Sequence, residues 1–489
     1  MKTKTTIFFL IFSLLIMTDL SAQTFLTNSY YQNYHKYKEE AIKSKRFSNA
    51  DILPLIEKLK SDNLFEVTKL GESLLGKDIY QIKIGNGKTK ILAWSQMHGD
   101  ESTATMALFD LFNFLRADDD FNKLRELLFE NLTIYFIPML NPDGAEIFTR
   151  RNAGMIDLNR DAARLQFPES KILKKVRDEL EPEFGFNLHD QSSYYTAGNN
   201  YKTATISFLA PAYNYEKEIN EIRSNTMKVI VDLNNELSRI IPGHIGRYSD
   251  DFEPRAFGDN LVKWGTSSVL IESGGWKDDS EKQFIRKLNF ISLLVAFESI
   301  AKGNYNTNNI DDYFAIPQNE RLLYDVILRN ALIEIHGKEF LMDVAINHNE
   351  RVNSKGEKLY YSSISELGDL SIFHGYEEYD LSNMKLEPGK IYNDDYYHEL
   401  DKEDLTELLN DGYTDFLSDT SYVKEIDLRK TKVNLFTDKE RKTTNEIRLF
   451  RNANFVVKKD NHVKYLFING FLVNPKADFT NVENGLLID

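Results

Sequence analysis

The sequence predicts an α/β fold in its N-terminal part and a smaller β-rich unit after it. Between Ile79 and Ala301, apolar strand-like runs alternate with helix-like segments, the order typical of a sheet covered by helices. The run from Leu132 to Pro138 is almost entirely apolar, as expected for a strand that is buried on both faces. Beyond Gly303 the strand-like runs are short and lie between turns, which predicts a second, β-rich unit.

The elements of the first part can be predicted in order from their periodicity. Alternating residues predict the earliest strands, and Gly85-Asn86-Gly87 is typical of a hairpin turn leading into the next strand. A second turn is predicted at Asn141-Pro142-Asp143-Gly144. Strands are expected at 65–68, 79–84, 91–94, 132–138, 184–190 and 267–272, and helices at 53–59, 103–115, 170–180, 225–240 and 281–301.

The first residues predict a secretory signal over 1–22. Lys2 and Lys4 precede a short apolar run from Ile7 to Met17, and small residues follow up to a cleavage position after Ala22. A membrane anchor is the alternative, but the run is shorter than the ~20 residues that a spanning helix needs. We therefore expect an exported protein, periplasmic, cell-surface or secreted, with no integral membrane span once the signal is removed.

Composition restricts the classes of partner. The chain has 489 residues and no cysteine, so its stability has to come from core burial or metal binding, without disulfides. A formal net charge of −15 argues against nucleic acid as a partner, because phosphate binding needs clustered Lys and Arg. The polar segment 304–312 predicts a linker between an α/β domain at 23–303 and an accessory β-rich domain at 313–489.

Three potential metal-binding or proton-transferring side chains stand at the ends of predicted strands. His98 follows the strand at 91–94, His189 ends the strand at 184–190, and Glu272 ends the strand at 267–272. In open α/β sheets, ligands bind outside the carboxyl ends of the strands, so these groups are expected to converge. Glu101 lies close to His98 in sequence, and an imidazole and a carboxylate together are suitable zinc ligands.

Five short motifs make the chain resemble the zinc carboxypeptidase family. They occur in the family's order across residues 60 to 300, and each one alone would be weak. They are His98-Gly99-Asp100-Glu101, Asn141-Pro142-Asp143-Gly144, Asp157-Leu158-Asn159-Arg160, Asn187-Leu188-His189 and Ile271-Glu272-Ser273-Gly274-Gly275. The resemblance implies a three-layer α/β/α fold with a mixed, mostly parallel sheet, and one catalytic zinc ion per chain.

The resemblance also implies how the metal site works. His98, Glu101 and His189 would hold the zinc, and Glu272 would be the general base. Two imidazoles and one carboxylate leave the ion with a net positive charge, so that a bound water is acidified to a pKa of about 7.

Four further residues match substrate-contacting positions of the family. Arg150 matches the arginine that stabilises the oxyanion, although the adjacent Arg151 is an alternative. Asn159 and Arg160 match the pair that binds the terminal carboxylate of the substrate, for which a guanidinium group is well shaped. Tyr248 corresponds to the family's mobile tyrosine, which reaches over bound substrate.

The expected function is hydrolysis of C-terminal peptide bonds, with a peptide that has a free C-terminal carboxylate as substrate. One alternative uses the same metal centre on peptidoglycan stem peptides or acyl amino acids. An alternative of another class is an inactive peptide- or glycan-binding module. Side-chain specificity stays open, because the segment between the tyrosine and the base holds both carboxylates and an arginine: Asp250, Asp251, Glu253, Asp259 and Arg255.

Overall fold

The structure is a computed structural model that describes residues 27–352, 358–439, 445–474 and 487–488. The predicted signal over 1–22 lies outside the described residues. The chain divides into two compact units, Met1–Arg321 and Leu322–Asp489. Within the described residues, no helix combines the length and the apolar character that crossing a lipid bilayer requires.

An eight-stranded mixed sheet forms the centre of the first unit. The strands of this unit are β1 (Glu66–Glu72), β2 (Asp78–Ile84), β3 (Thr89–Ser95), β4 (Leu132–Ile137), β5 (Phe184–Asp190), β6 (Thr196–Ala197), β7 (Ile206–Leu209), β8 (Ile245–Arg247), β9 (Ser267–Ser273) and β10 (Asn319–Glu320). The sheet has the order β1-β2-β4-β3-β5-β9-β7-β8, and β6 pairs separately with β10. Its central strands β4, β3, β5 and β9 are parallel to one another.

Helices cover both faces of this sheet. The helices of the unit include α1 (Asn49–Lys60), α2 (Thr103–Leu115), α3 (Asn122–Asn131), α4 (Pro142–Glu146), α5 (Pro168–Leu180), α6 (Glu221–Leu237), α7 (Phe257–Lys263), α8 (Gln283–Lys302) and α9 (Ile310–Phe314), with 3₁₀ turns at Tyr34–Lys36, Leu158–Arg160 and Asn304–Thr307. Residues 27–33 are also helical. In β3, Ile91 and Ala93 join the apolar cluster that contains α2, α3, α6 and α8. Leu92 and Trp94 join the cluster on the other face, with α5 and α7. The predicted three-layer α/β/α class is therefore confirmed.

The predicted hairpin at Gly85-Asn86-Gly87 is wrong. The strands on its two sides, β2 and β3, are not neighbours, because β4 lies between them and pairs with both. The glycines allow the chain to cross closely over the start of β4. A Cβ on Gly85 would lie 2.3 Å from Leu132 O, and one on Gly87 would lie 1.9 Å from Asn131 C. The backbone φ of Gly85 is +80°, which also favours glycine.

The turn predicted at Asn141-Pro142-Asp143-Gly144 is the start of the short helix α4. The Asn141 side chain accepts a hydrogen bond from Gly144 N at 2.9 Å and so caps the helix. Pro142 occupies the first turn, where its missing N–H causes no loss. The same residues that indicate a turn thus also form a capped helix start.

A buried ion pair joins α2 and α8 to the segment that precedes α1. Arg286 and Asp110 have fully buried side chains, with Nη2 and Oδ1 2.5 Å apart. Arg286 also donates to the carbonyl oxygens of Ile42, at 2.7 Å, and Glu39, at 3.0 Å. The Tyr34 hydroxyl donates to Asp110 at 2.7 Å. These contacts make the segment around residues 34–42 an integral part of the first unit.

The predicted linker residues 304–312 form a 3₁₀ turn and the start of α9 in the structure. The Asn308 side chain donates to Asp232 Oδ1 at 2.6 Å, and Tyr313 is completely buried. The boundary between the compact units falls after Arg321.

The second unit contains two sheets, and its predicted β-rich character is confirmed. Its strands are β11 (Leu323–Ile335), β12 (Lys338–Val352), β13 (Lys358–Gly368), β14 (His374–Asp380), β15 (Lys385–Pro388), β16 (Lys390–Tyr392), β17 (Tyr413–Leu417), β18 (Asn434–Phe436), β19 (Phe455–Lys459), β20 (His462–Ile468), β21 (Phe471–Val473) and β22 (Leu487–Ile488). The larger sheet has the order β13-β12-β11-β15-β19-β20-β21, and β14 also pairs with β11. The smaller sheet, β16-β17-β18-β22, is parallel, and the helices of the unit are α10 (Lys402–Asn410) and α11 (Thr420–Glu425), with 3₁₀ turns at Tyr397–Glu399 and Leu428–Lys430.

Candidate metal centre

His98, Glu101 and His189 form a buried cluster at the carboxyl ends of β3 and β5. One ligand atom from each residue lies within 4.8 Å of the others. The Glu101 carboxylate lies between the two imidazoles, with Oε1 2.8 Å from His98 Nδ1 and Oε2 2.6 Å from His189 Nδ1. The imidazole ring centroids are 4.8 Å apart. Both rings therefore direct Nδ1 toward the same carboxylate.

The loop between β3 and α2 brings the first two members of this cluster together. Its backbone turns sharply at Gln96, where φ is +47°, and Glu101 N donates to His98 O at 3.2 Å. Gly99 lies against the backbone of α4, since a Cβ there would approach Gly144 C to 2.1 Å. A larger residue at this position would separate the loop from α4, which explains the glycine next to a ligand.

The three side chains fit a zinc ion by their chemistry and spacing. Two imidazoles and one carboxylate are a usual ligand set for a catalytic zinc, which keeps a further position for water. Burial opposes ionisation of Glu101, but His98 and His189 outweigh it and hold the pKa of this carboxyl well below its usual range. The group is thus kept as a carboxylate, the form that binds a cation.

Asp157 orients His98, a role that the sequence analysis did not assign. The His98 Nε2 atom lies 2.9 Å from Asp157 Oδ1, and Asp157 also caps the 3₁₀ turn by accepting from Asn159 N at 2.9 Å. A carboxylate on the second ring nitrogen fixes the imidazole and increases its basicity toward a metal. The position was within a quoted motif, but only the fold shows that it faces His98.

The structure brings Arg150, and not Arg151, to the cluster. Arg150 Nη1 lies 3.0 Å from Glu101 Oε1, and Arg150 Nη2 lies 2.9 Å from Asp157 Oδ2. The Arg150 side chain is 43% exposed, so its guanidinium group can reach a bound molecule. Arg151 is exposed and donates instead to Met155 O at 2.9 Å.

Glu272 lies beside the cluster on the neighbouring strand. It pairs in register with His189 across the parallel strands β5 and β9. Among the described residues, its buried Oε2 atom has no hydrogen-bond partner. Burial and the nearby charge of Glu101 raise the pKa of Glu272 well above its usual value. A buried carboxyl with an unused oxygen next to a cation site is well suited to accept a proton.

The predicted carboxylate-binding pair lies one turn away from Asp157. Asn159 is buried, and its Oδ1 accepts a hydrogen bond from Phe257 N at 2.8 Å. The Arg160 side chain is 38% exposed, with Nε 3.4 Å from Glu253 Oε2, and its Nη1 donates to Asn159 O at 2.7 Å. The guanidinium group of Arg160 therefore remains accessible from solvent, although the carboxylate of Glu253 lies beside it.

Tyr248 lies on the Glu272 side of the centre, directly after β8. Its backbone N donates to Phe208 O at 2.9 Å. Burial, followed by the charge of Glu272, raises the pKa of its phenol above the usual value. Its ring packs edge-on against Tyr195, with centroids 6.1 Å apart. Tyr195 was not singled out from the sequence, where nothing distinguishes it from other loop tyrosines.

Most charged groups between Tyr248 and Glu272 already have partners of opposite charge. Asp250 pairs with the buried Arg223 at 2.6 Å and with Lys217 at 3.1 Å. Glu253 lies 2.7 Å from Arg255 and 3.4 Å from Arg160, so both arginines share this carboxylate. The charge types in this segment therefore do not by themselves favour a basic or an acidic side chain of the substrate.

Asp259 predicts a pH dependence of stability. Burial raises the pKa of Asp259 to about 7, so the folded state favours the protonated carboxyl group. The stability that this group contributes at a pH below its unfolded pKa is therefore lost as the pH rises toward 7. Asparagine retains an acceptor for Glu253 N, 3.0 Å away, but does not ionise. We expect Asp259→Asn to raise the free energy of unfolding by about 1–3 kcal/mol more at pH 8 than at pH 5.

Urea unfolding at the two pH values measures this difference. Asp251→Asn is the control, because Asp251 is 84% exposed and its pKa is lowered by Lys217. An equal effect of Asp259→Asn at both pH values would contradict the linkage.

Comparison with known proteins gives a family match in the same unit. Residues 52–183 match the family model described as zinc carboxypeptidase, which confirms the resemblance seen in the motifs. Carboxypeptidase SOL1 of Arabidopsis thaliana is 32% identical over 105 residues, which are 20% of this chain and 21% of that protein. Human carboxypeptidase D (Homo sapiens) is 24% identical over 167 residues, which are 31% of this chain and 11% of that protein. The chain thus spans a minor part of the length of both relatives.

Solved structures with a similar arrangement include two carboxypeptidases. The metallo-carboxypeptidase from Burkholderia cenocepacia matches with a TM-score of 0.44 and 16% identity, over 53% of this chain and 70% of that one. Carboxypeptidase A from Helicoverpa armigera matches with a TM-score of 0.42 and 16% identity, over 58% of this chain and 81% of that one.

Proposed function

We propose that this chain, whose residues 52–183 match the family model described as zinc carboxypeptidase, is an exported metallocarboxypeptidase that removes C-terminal residues from peptides. The observation that carries this proposal is the position of Glu272. Its buried Oε2, which has no hydrogen-bond partner in the part of the chain that the structure describes, lies beside the His98, Glu101 and His189 cluster, on the adjacent strand. A cation site alone would suit a structural ion, whereas a cation site with a poised carboxyl suits hydrolysis.

The proposed chemistry divides between a metal ion and the residues around it. A zinc ion held by His98, Glu101 and His189 would supply an acidified water and polarise the carbonyl of the bond to be cut. Glu272 would take a proton from the attacking water and pass it to the amine that leaves. Arg150 would donate to the oxygen on which negative charge develops. Such a donor lowers the activation free energy by ~3 kcal/mol.

The substrate proposal depends on Asn159, Arg160 and Tyr248. The accessible guanidinium group of Arg160 can bind a carboxylate through two parallel hydrogen bonds. Asn159 is held by Phe257 N and keeps its amide group beside the arginine. Tyr248, near Glu272, would cover the bound terminus. A substrate with a free carboxylate next to the cut bond fits this set.

Two measurements test the proposal. Purified protein should contain one zinc ion per chain, the content expected for a single site of this type. It should release C-terminal residues from a peptide library, read by mass spectrometry, and a metal chelator should stop the release. The matched control is the same library with C-terminal amides, which lack the charge that Arg160 binds and should be cleaved much more slowly.

The alternatives give different results in the same assay. Release from peptidoglycan stem peptides or acyl amino acids, with intact library peptides, would assign the centre to those substrates. Full zinc occupancy without hydrolysis of any of these compounds would contradict the enzyme proposal and favour a peptide- or glycan-binding module.

A further inference from the structure

Lys282 makes two hydrogen bonds close to the metal centre, although it lies outside every motif noted in the sequence. Its Nζ atom donates to Ser273 O at 2.9 Å and to Asp190 Oδ2 at 3.0 Å. Ser273 follows Glu272 directly on β9, and Asp190 follows His189 directly on β5. The Lys282 side chain is only 16% exposed. One ammonium group therefore joins the ends of the two strands that carry His189 and Glu272.

Asp190 extends this connection to the third element of the centre. Its Oδ2 accepts from Thr103 Oγ1, at 2.6 Å, in the first turn of α2. Its backbone N lies 3.2 Å from Glu101 Oε2 and donates to it. The Lys282 and Asp190 pair thus connects α2, β5 and β9, which together position Glu101, His189 and Glu272.

The backbone around Lys282 is fixed in an unusual conformation. Lys282 precedes α8 with φ of +52°, in the left-handed region that side chains other than glycine rarely adopt. The carboxylate of Asp279 caps the helix by accepting from the backbone N atoms of Gln283, at 2.7 Å, and Phe284, at 3.0 Å. Such local strain persists where the surrounding structure imposes it, often at functional sites.

We propose that Lys282 is a positioning residue of the metal centre, which holds Glu272 and the ligands Glu101 and His189 in register through Ser273 and Asp190. This inference rests on the proposed function for its kinetic consequence, but its effect on metal binding does not require a substrate. The residue does not touch the ligands themselves, and it acts only through the backbone of β9 and the carboxylate of Asp190.

The test replaces Lys282 with methionine, which retains the length of the side chain and removes its donors. We expect the affinity for zinc, measured by competition with a chromophoric chelator, to fall about tenfold, as for other groups that orient ligands. We expect kcat to fall about tenfold with KM within about twofold, because misplacement of a reacting group affects the chemical step more than binding. Lys282→Arg, which retains a charged donor, should recover most of both losses.

Lys302→Met is the matched control, since Lys302 lies at the other end of α8 and pairs with Glu298 at its surface. Zinc affinity and kcat of Lys282→Met equal to those of this control would overturn the proposal. If Lys282→Met does not fold, the zinc affinity and kcat of Asp190→Asn are compared with those of the control instead, because Asp190 is the hydrogen-bond partner of Lys282. In the double variant Lys282→Met/Asp190→Asn, the loss of zinc binding free energy should be smaller than the sum of the two single losses, because residues that act as a unit are not additive. A folded double variant with an additive loss would also overturn the proposal.

The two proposals can fail separately. Wild-type protein that binds zinc but hydrolyses no substrate would contradict the proposed function, while the zinc affinities of the variants would still decide the role of Lys282.

Discussion

Replacing Glu272 with glutamine is expected to lower kcat by about 10³-fold to 10⁴-fold, toward the upper end of the range for a general acid or base. An amide has nearly the same shape as a carboxyl group but cannot take up a proton from water at neutral pH. The fold should not suffer, because the buried Oε2 of Glu272 has no hydrogen-bond partner among the described residues. Removing a carboxyl whose ionisation is opposed by burial should leave the melting temperature unchanged or slightly higher.

Three readouts on the same preparation check this expectation: turnover of the best library peptide, zinc content and melting temperature. The control is Glu146→Gln, the same substitution at a carboxylate that is 44% exposed and pairs with Lys77. Zinc content should stay at the wild-type level in both variants, because neither residue belongs to the ligand cluster. If Glu272→Gln keeps more than about a tenth of the wild-type kcat, proton transfer by Glu272 is excluded, since a positioned base contributes at least ~10²-fold.

Replacing Arg286 with methionine is expected to destabilise the first unit by about 3–5 kcal/mol, the range for breaking one side of a buried ion pair. The substitution leaves Asp110 buried without its positive partner, although burial already raises the pKa of this carboxyl. It also removes the donors to the carbonyl oxygens of Ile42 and Glu39. The chain before α1 should then detach more readily than the rest of the unit.

Urea unfolding followed by tryptophan fluorescence measures the loss, and limited proteolysis reports whether residues 34–47 become accessible first. Lys83→Met is the control, because Lys83 and its partner Glu66 are 30% and 66% exposed. Its cost should stay below about 1 kcal/mol, as for other exposed pairs. When Asp110→Asn is already present, Arg286→Met should cost much less. Equal costs in the presence and absence of Asp110 would contradict the proposed coupling.

Local periodicity was sufficient to predict many single elements of the first unit. The helix over Thr103–Leu115 and the strand over Phe184–Asp190 have the bounds expected from sequence, since their apolar spacing is regular and uninterrupted. The order of the strands could not be predicted in this way. Gly85 and Gly87 are consistent both with a tight hairpin and with a close crossing of another strand, and only the position of β4 distinguishes the two.

Some residues of the candidate site could likewise be predicted from sequence, and others only from the fold. Sequence motifs pointed to His98, Glu101 and His189, which the structure brings within 4.8 Å of one another. The contact of Lys282 with Asp190 joins residues that are far apart in sequence, and neither belongs to a recognisable spacing pattern. Arg150 and Arg151 are adjacent and chemically identical, so the sequence alone cannot distinguish them. In the structure the side chain of Arg150 contacts Glu101, whereas that of Arg151 contacts Met155 O.

The strand order has a consequence for how the protein acquires its metal during folding. The residues of the cluster come from the loop after β3 and from β5, and several helices and β4 intervene between these two strands in the chain. Pairings across such long separations form late, because the entropy of closing the intervening loops must be overcome before they become favourable. We therefore expect the nascent chain to reach a nearly native topology before any cation is captured. Zinc would then stabilise the folded state by binding to it, in proportion to the concentration of the free ion. It would not serve as a nucleus for folding.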